Sequence, residues 1–548
     1  MKSPVLPDSS GATCASGGLS RRRWLELTAL ASLSGAFLPW HAWAGRAGRA
    51  REYHLSLNPQ VVLQDPELLA LVSQAGVSCV WLDGFLYGHW PWPIETLTRA
   101  REALRLAGLE ASVINVPLGH PGDSLGARDG NFPLTPPAHW RLGSNRDGRS
   151  YAGTSLHAPA TAENVEALRR LRQTGFSQFF VDDDFRLARG PGEIGGCFCA
   201  EHRARFLRRA GLPDGRWPEL LDDVRSRRFT PLLRQWVESA CDDLTGSFRA
   251  QQKAAGGKLG IMVMYLGAEK AGIRLADYRG MPFRVGEFMF DDRAFSPVKG
   301  KTDELFSALF HRRFAAPELA WSETTAYPAD RLSAAHLAAK LVVSTVADVR
   351  HTMFMSGITP FPKAHWATLG PEMQRQAGFH RQLAGHRWHG PFKHYWGEAS
   401  RCTGDDRPFS LFLAGGVPFE VADRPAREGW TFLSDADAAA AAEGKLVSRG
   451  TRFLSRSTAP AAAVVLEPCE ETLAALFALK HRIRPMLGKV PFVENDEPAV
   501  LAWCPSARAA LLWNVRSEPT TFLVRYGAQT RETRLSGLES ALLAELHL

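Results

Sequence analysis

Three consecutive carboxylates, Asp182, Asp183 and Asp184, follow directly on an apolar run containing Phe176, Phe179, Phe180 and Val181. Burying adjacent acids in their ionised form is costly through both desolvation and mutual repulsion. A strand ending in such a run needs a cation, hydrogen-bond donors, or a catalytic use for one carboxyl. A solvated acidic turn is the plain alternative. Arg186 offers a counter-charge that would keep its neighbours ionised. Crowding raises the proton affinity of one aspartate, as general acid catalysis requires. Downstream, Cys197, Cys199 and His202 supply two thiols and an imidazole, a zinc-type donor set lacking a fourth ligand. A buried-thiol loop, or a disulfide from Cys199 to another cysteine, is equally compatible. A bridge between Cys197 and Cys199 themselves would be strained.

The elements that must position these residues alternate between apolar strands and amphipathic helices. Strands are predicted at Tyr53–Leu57, Cys79–Leu82, Ser112–Val116, Phe176–Val181, Leu259–Tyr265, Val285–Phe290, Glu318–Ser322 and Thr352–Met355. Helical spacing marks Pro66–Ala75, Ile94–Ala107, Ala162–Thr174 and Ala334–Val346 between them. Such alternation implies parallel pairing through right-handed crossovers. Eight units predict a (β/α)8 barrel over 45–395, with its chemistry at the C-terminal strand ends. Asp83, Asn115, the aspartate triplet, Asp291, Asp292 and Glu323 all fall at such ends. An open doubly wound sheet is the structural alternative. Beyond the barrel, Ser410–Ala414, Trp430–Leu433 and Ala462–Val465 read as strands of a small α/β domain over 396–496, like a flavodoxin or glutamine amidotransferase domain. Runs at Val500–Trp503, Ala510–Trp513, Thr521–Val524 and Leu542–Leu546 read as a C-terminal β-domain over 497–548.

Ser20-Arg21-Arg22-Arg23-Trp24-Leu25 resembles a twin-arginine export signal, followed by an apolar stretch and an Ala42-Trp43-Ala44 cleavage site. Residues 1–44 are therefore expected to leave as a signal peptide, with the periplasm as destination and the twin-arginine machinery as a partner. The apolar stretch is shorter than the roughly 20 residues of a spanning helix, so no stable membrane anchor is expected. Without the leader the chain carries 61 basic and 55 acidic residues, a net charge of only +6. With no dense basic stripe, nucleic acid is not an expected partner. Eight scattered cysteines do not make a disulfide framework.

The order of a barrel strand ending in acid, a cysteine segment, a strand-seven glutamate within Trp321-Ser322-Glu323-Thr324-Thr325, a small α/β domain and a β-domain resembles the family 42 β-galactosidases. More broadly it resembles their retaining (β/α)8 glycoside hydrolase superfamily. The resemblance implies that Glu323 is the nucleophile and that the strand-four acid/base falls at Asp183-Asp184, with Asp184 matching the catalytic glutamate. It also implies that Cys197, Cys199 and His202 hold a structural zinc, and that the reaction requires no cofactor. This chain has Asp183-Asp184 where the family has Asn-Glu, losing a sugar-binding amide and one methylene of reach. Retaining enzymes hold their carboxyls roughly 5–5.5 Å apart and inverting ones roughly 6.5–9.5 Å, so the shorter aspartate leaves both outcomes open.

Glycosidic cleavage needs one acid to protonate the leaving oxygen and one carboxylate to attack or to activate water. Asp182, Arg186, Asp83 and Asn115 are candidate sugar contacts, while Trp90, Trp92, Tyr265, Trp321 and Tyr327 are candidate stacking faces. Packing of loops over the barrel is the alternative for each aromatic. His54 and His120 are further candidates, or else ordinary loop histidines. The expected function is hydrolysis of a periplasmic or extracellular oligo- or polysaccharide. Two readings from other classes stand beside it, a non-catalytic carbohydrate-binding barrel and a metal-dependent polysaccharide deacetylase or lyase using the aspartates as ligands. The sequence leaves open whether the chain forms a homo-oligomer.

Overall fold

The computed structural model describes residues 51–118, 136–182, 185–190, 192–286, 288–357, 359–427, 429–446, 451–456 and 464–546. The export leader, His120, Asp183 and Asp184 lie outside them. Eight parallel strands close into a barrel in sequence order. They are β1 (Glu52–Leu57), β2 (Cys79–Leu86), β3 (Glu110–Val116), β4 (Phe179–Val181), β5 (Leu259–Met264), β6 (Phe283–Gly286), β7 (Ala320–Thr325) and β8 (His351–Met355), with β8 pairing back to β1. Helices on the outside include Pro66–Ala75, Ile94–Leu106, Ala160–Gln173, Pro231–Ala254, Val298–His311, Ala334–Val346 and Trp366–Leu383. The longest begins where Thr230 accepts the Leu233 N–H at 3.1 Å and Pro231 occupies the first turn. Both features satisfy a helix start whose N–H groups have no partners within the helix.

Of the strands that differ from their expected limits, two do so for plain local reasons. β7 starts later than expected because Pro317–Leu319 forms a 3-10 turn beginning on proline. β6 ends at Gly286, and Phe288, Met289 and Phe290 lie in the following loop, where the Met289 N–H donates to Glu304 Oε1 at 3.2 Å. Glu304 is itself buried and paired with Lys340 at 2.7 Å. Phe288 and Met289 of that loop pack against the barrel core, so their apolar pattern reads as strand.

Beyond the barrel, β9 (Phe392–Tyr395), β10 (Phe419–Ala422), β11 (Gly429–Leu433), β12 (Thr451–Ser455) and β13 (Leu466–Pro468) form a parallel sheet in the order β10-β9-β11-β12-β13. That is the strand order of a flavodoxin-like sheet. The segment Ser410–Ala414 is not one of its strands, since Leu411–Ala414 is a 3-10 turn. Two antiparallel three-stranded sheets follow, one of β14 (Phe492–Val493), β17 (Thr520–Tyr526) and β18 (Gln529–Leu535), the other of β15 (Ala499–Cys504), β16 (Ala509–Asn514) and β19 (Ser540–Leu543). Phe392, Phe432, Leu476, Leu501, Leu512 and Phe522 belong to one apolar core, so these sheets cap the α/β sheet. No helix among the described residues is long and apolar enough to cross a membrane.

Candidate active site

Side chains alternate along a strand, so an inward residue is followed two positions later by another. Trp81 on β2, Phe180 on β4 and Trp321 on β7 meet inside the barrel with ring centroids 4.9–5.4 Å apart. Phe180 fits there because its neighbour on β5 is Gly260, where a Cβ would lie 2.2 Å from the Phe180 ring. Two positions beyond the three rings, toward the C-terminal mouth, come Asp83, Asp182 and Glu323. All three are buried. An aromatic floor therefore carries three carboxyls from three separate strands.

Arg284 on β6 joins two of them. Its guanidinium is wholly buried, donates to Asp182 Oδ1, and places Nε 3.5 Å from Glu323 Oε2. Met262 and Met353 sulfurs lie 2.8 and 2.9 Å from its terminal nitrogens, and its carbon stands 5.4 Å from the centre of the Phe180 ring. Thioethers accept hydrogen bonds weakly, so the two carboxylates are what compensate this buried cation. Glu323 is further fixed by Thr325, whose hydroxyl donates to Oε1 at 2.6 Å. Asp83 has no ion-pair partner among the described residues, and its Oδ2 is buried without a hydrogen bond. Burial, and then the neighbouring Asp182 charge, push the Asp83 carboxyl up to about 7.

The other expected site residues divide between the mouth and the scaffold. Asn115 lies next to the inward-facing Ile114 and so faces out of the barrel. Its Oδ1 accepts the Phe85 N–H at 2.9 Å and shapes the irregular end of β2. Gly84 is required at that crossing, since a Cβ would lie 2.3 Å from the same oxygen. Trp321 is part of the floor beneath Glu323, stacked on His351 at 4.3 Å, and presents no open face for a sugar. Trp90 packs on Phe85 at 5.1 Å and under Arg170, while Trp92 packs with Leu86, Tyr87 and Val116, so both serve the loop after β2. Tyr265 is buried edge-on against Phe288 at 5.0 Å. Tyr327 is half-buried just past β7, its N–H donating to Phe290 O at 3.0 Å. Arg186 is buried, but the described guanidinium on Asp182 belongs to Arg284. Sequence reasoning missed Arg284 because the predicted strand began one residue later. A cation inside the otherwise apolar Phe283–Val285 run was the available signal. Phe288 and Phe290, read as strand, instead supply half-buried aromatic surface in the loop after β6.

The cysteine cluster gains the ligand it lacked. His157, some forty residues upstream of Cys197, brings its ring to Cys199, and ligand atoms of His157, Cys197, Cys199 and His202 all lie within 4.8 Å of one another. Cys199 Sγ is 3.1 Å from His202 Nδ1 and 3.5 Å from His157 Nε2. Tetrahedral zinc, with bonds of about 2.3 Å to sulfur and 2.0 Å to nitrogen, places its ligand atoms about 3.3–3.8 Å apart, so the set fits. His157 Nδ1 lies 3.3 Å from both Glu201 Oε2 and an Arg141 terminal nitrogen, and with its proton given to Glu201 the other nitrogen is free to face the thiols. Burial lowers both imidazoles, His202 to about 4, which keeps them neutral as ligands must be.

A second group, Glu52, His54 and His351, lies toward the opposite end of the barrel. His351 Nδ1 lies 3.3 Å from Glu52 Oε2. Trp81 Nε1 donates to His54 Nδ1 at 3.3 Å, leaving the His54 proton on Nε2, which faces His351 Nδ1 at 3.4 Å. His351 Nε2 in turn donates to the Glu318 carbonyl at 3.0 Å. His54 is therefore a satisfied interior residue rather than a sugar contact.

No protein-family model matches this chain, and no curated protein matches its sequence. Among solved structures, it is similar to a β-galactosidase from Rahnella sp. R3, with a TM-score of 0.55 and 10% identity over 91% of this chain and 98% of that one. It is also similar to Gan42B, a GH42 β-galactosidase from G. stearothermophilus, with a TM-score of 0.50 and 11% identity over 90% and 98% of the two chains. The shared architecture is a (β/α)8 barrel followed by smaller sheets, present at a sequence identity too low for motif matching to carry far.

Proposed function

We propose that this protein is a glycoside hydrolase acting on an oligo- or polysaccharide. Glu323 is the nucleophile, or the base if the enzyme inverts. A strand-four aspartate, Asp184 with Asp183 as the neighbouring candidate, is the general acid/base. The observation that carries this reading is Glu323, held by Arg284 and Thr325 above an aromatic floor at the C-terminal mouth of a barrel shared with β-galactosidases. Asp182 and Asp83 line the same mouth and suit sugar hydroxyls. Phe288, Phe290 and Tyr327 offer the stacking surface. Zinc held by His157, Cys197, Cys199 and His202 would be structural, clamping the Leu142–Thr154 hairpin to the segment before the helix Ala200–Ala210. Ser144 N already donates to Cys197 Sγ at 3.4 Å. The metal-dependent deacetylase reading is disfavoured because a guanidinium already sits where a cation between Asp182 and Glu323 would. The export leader makes the periplasm the proposed location.

The test is a screen of purified protein against glycans of varied linkage, read by product mass, with Glu323→Gln as control. Turnover in that variant falls by several orders of magnitude while the melting temperature barely moves, because a carboxylate used in the transition state contributes little to packing. Hydrolysis that survives Glu323→Gln rejects the assignment. For the acid, Asp184→Ala retains far more activity on an activated aryl glycoside, which needs little protonation, than on an oligosaccharide.

A further inference from the structure

The three carboxyls of the barrel mouth share one floor but not one environment. Asp182 and Glu323 both touch Arg284, which among the described residues also meets the sulfurs of Met262, Met353 and Met355 and an aromatic face. Asp83 has no ion pair with that guanidinium, and one of its oxygens is buried with no partner among the described residues. It faces the Asp182 anion instead. A buried carboxylate without donors pays the full cost of desolvation, whereas the protonated group needs only an acceptor. Arg284, shared between Asp182 and Glu323, neutralises one of their two charges and leaves that pair with a single negative charge. That is the balance an oxocarbenium-like transition state calls for.

We infer that Arg284 divides the mouth carboxyls into two chemical roles, holding Asp182 and Glu323 as anions while Asp83, outside its contact, keeps its proton and meets the substrate as a hydrogen-bond donor. The inference rests on the glycosidase reading for its use, though not for its test. Arg284 is then a positioning residue. When Glu323 forms a bond to the anomeric carbon, or takes a proton from the attacking water, its charge is lost. The bond to the leaving oxygen breaks, and that oxygen takes its proton from the general acid. Through this step Asp182 stays on the guanidinium, so the buried cation is never left without a counter-ion. Among the described residues the charged group that acts on the Asp83 carboxyl is Asp182. Burial and the Asp182 charge both favour its neutral form, with a midpoint near 7.

Infrared difference spectroscopy of the intact protein reads the division directly, because a protonated carboxyl has a carbonyl band that a carboxylate lacks. At pH 6 the difference between wild type and Asp83→Asn contains one such band. Arg284→Met gains a second band, as an acid deprived of its counter-charge titrates about one to three pH units higher. Asp182→Asn, which keeps shape and hydrogen-bonding capacity, shifts the Asp83 midpoint to lower pH and serves where Arg284→Met does not fold. A band unchanged by Asp83→Asn overturns the assignment of the proton. A folded Arg284→Met without a second band, or an Asp83 midpoint indifferent to Asp182→Asn, overturns the division. A protein that shows all the expected bands and cleaves no glycan refutes the functional reading alone.

Discussion

Replacing Asp83 by asparagine tests the electrostatics of the mouth through stability. The carboxyl titrates near 7 in the folded protein against an ordinary value of 3.8. The folded state therefore holds a proton that the unfolded chain releases more readily. Between these limits unfolding releases a proton, so stability falls as pH rises, and the loss is complete once pH passes 7. Three pH units at about 1.4 kcal/mol each set a ceiling of about 4 kcal/mol. Asparagine cannot ionise and escapes this cost. For a compact unit spanning Arg51–Leu548, unfolding entropy of about 2.1 cal/mol/K per residue amounts to about 1 kcal/mol/K, and the ceiling becomes about 4 °C. If the barrel melts by itself the shift is about 6 °C. The assay is calorimetric Tm from pH 5 to pH 9 for both proteins, a window holding about two of the three pH units and so about 3 °C of the shift. The difference between variant and wild type widens toward alkaline pH, whatever constant offset the amide introduces. Parallel curves would show that Asp83 is already ionised in the native state and would refute the reasoning.

Three further outcomes are expected. Metal analysis finds one zinc per chain, and Cys199→Ser or strong chelation lowers both occupancy and Tm while leaving the barrel's circular dichroism largely intact; a metal-free protein with unchanged Tm rejects the site. Gly260→Ala drives a methyl into the Phe180 ring and costs about 1–3 kcal/mol, measured by denaturant unfolding and partly recovered by Phe180→Leu. Full stability in the single variant would show that the floor has slack. Replacing Arg21 and Arg22 by lysine leaves the protein folded and uncleaved in the cytoplasm, and normal periplasmic delivery of that variant would remove the twin-arginine reading.

The sequence determined the barrel, because strand–helix alternation is a local signal and each apolar run needed to be found only to within a few residues. It also determined that carboxyls gather at strand ends: Asp83, Asp182 and Glu323 were all legible as acids at the close of apolar runs, where polarity changes abruptly. What neighbours what was decided only by tertiary structure. Arg284 reaches Asp182 from about a hundred positions away, and His157 completes the cysteine cluster from the end of a hairpin. Neither pairing leaves a periodic trace in the chain. The direction of a ring was equally hidden. Trp321 and Glu323 share one face of β7, yet one fills the floor and the other stands in the mouth, because the barrel interior is filled by rings at one level and by charged side chains at the next. Trp90 and Trp92 carry the composition of a sugar platform, but the loop after β2 turns them onto the scaffold. Local pattern sets which residues point inward. Closure of the eight strands sets the depth at which they stop and the charges they meet there.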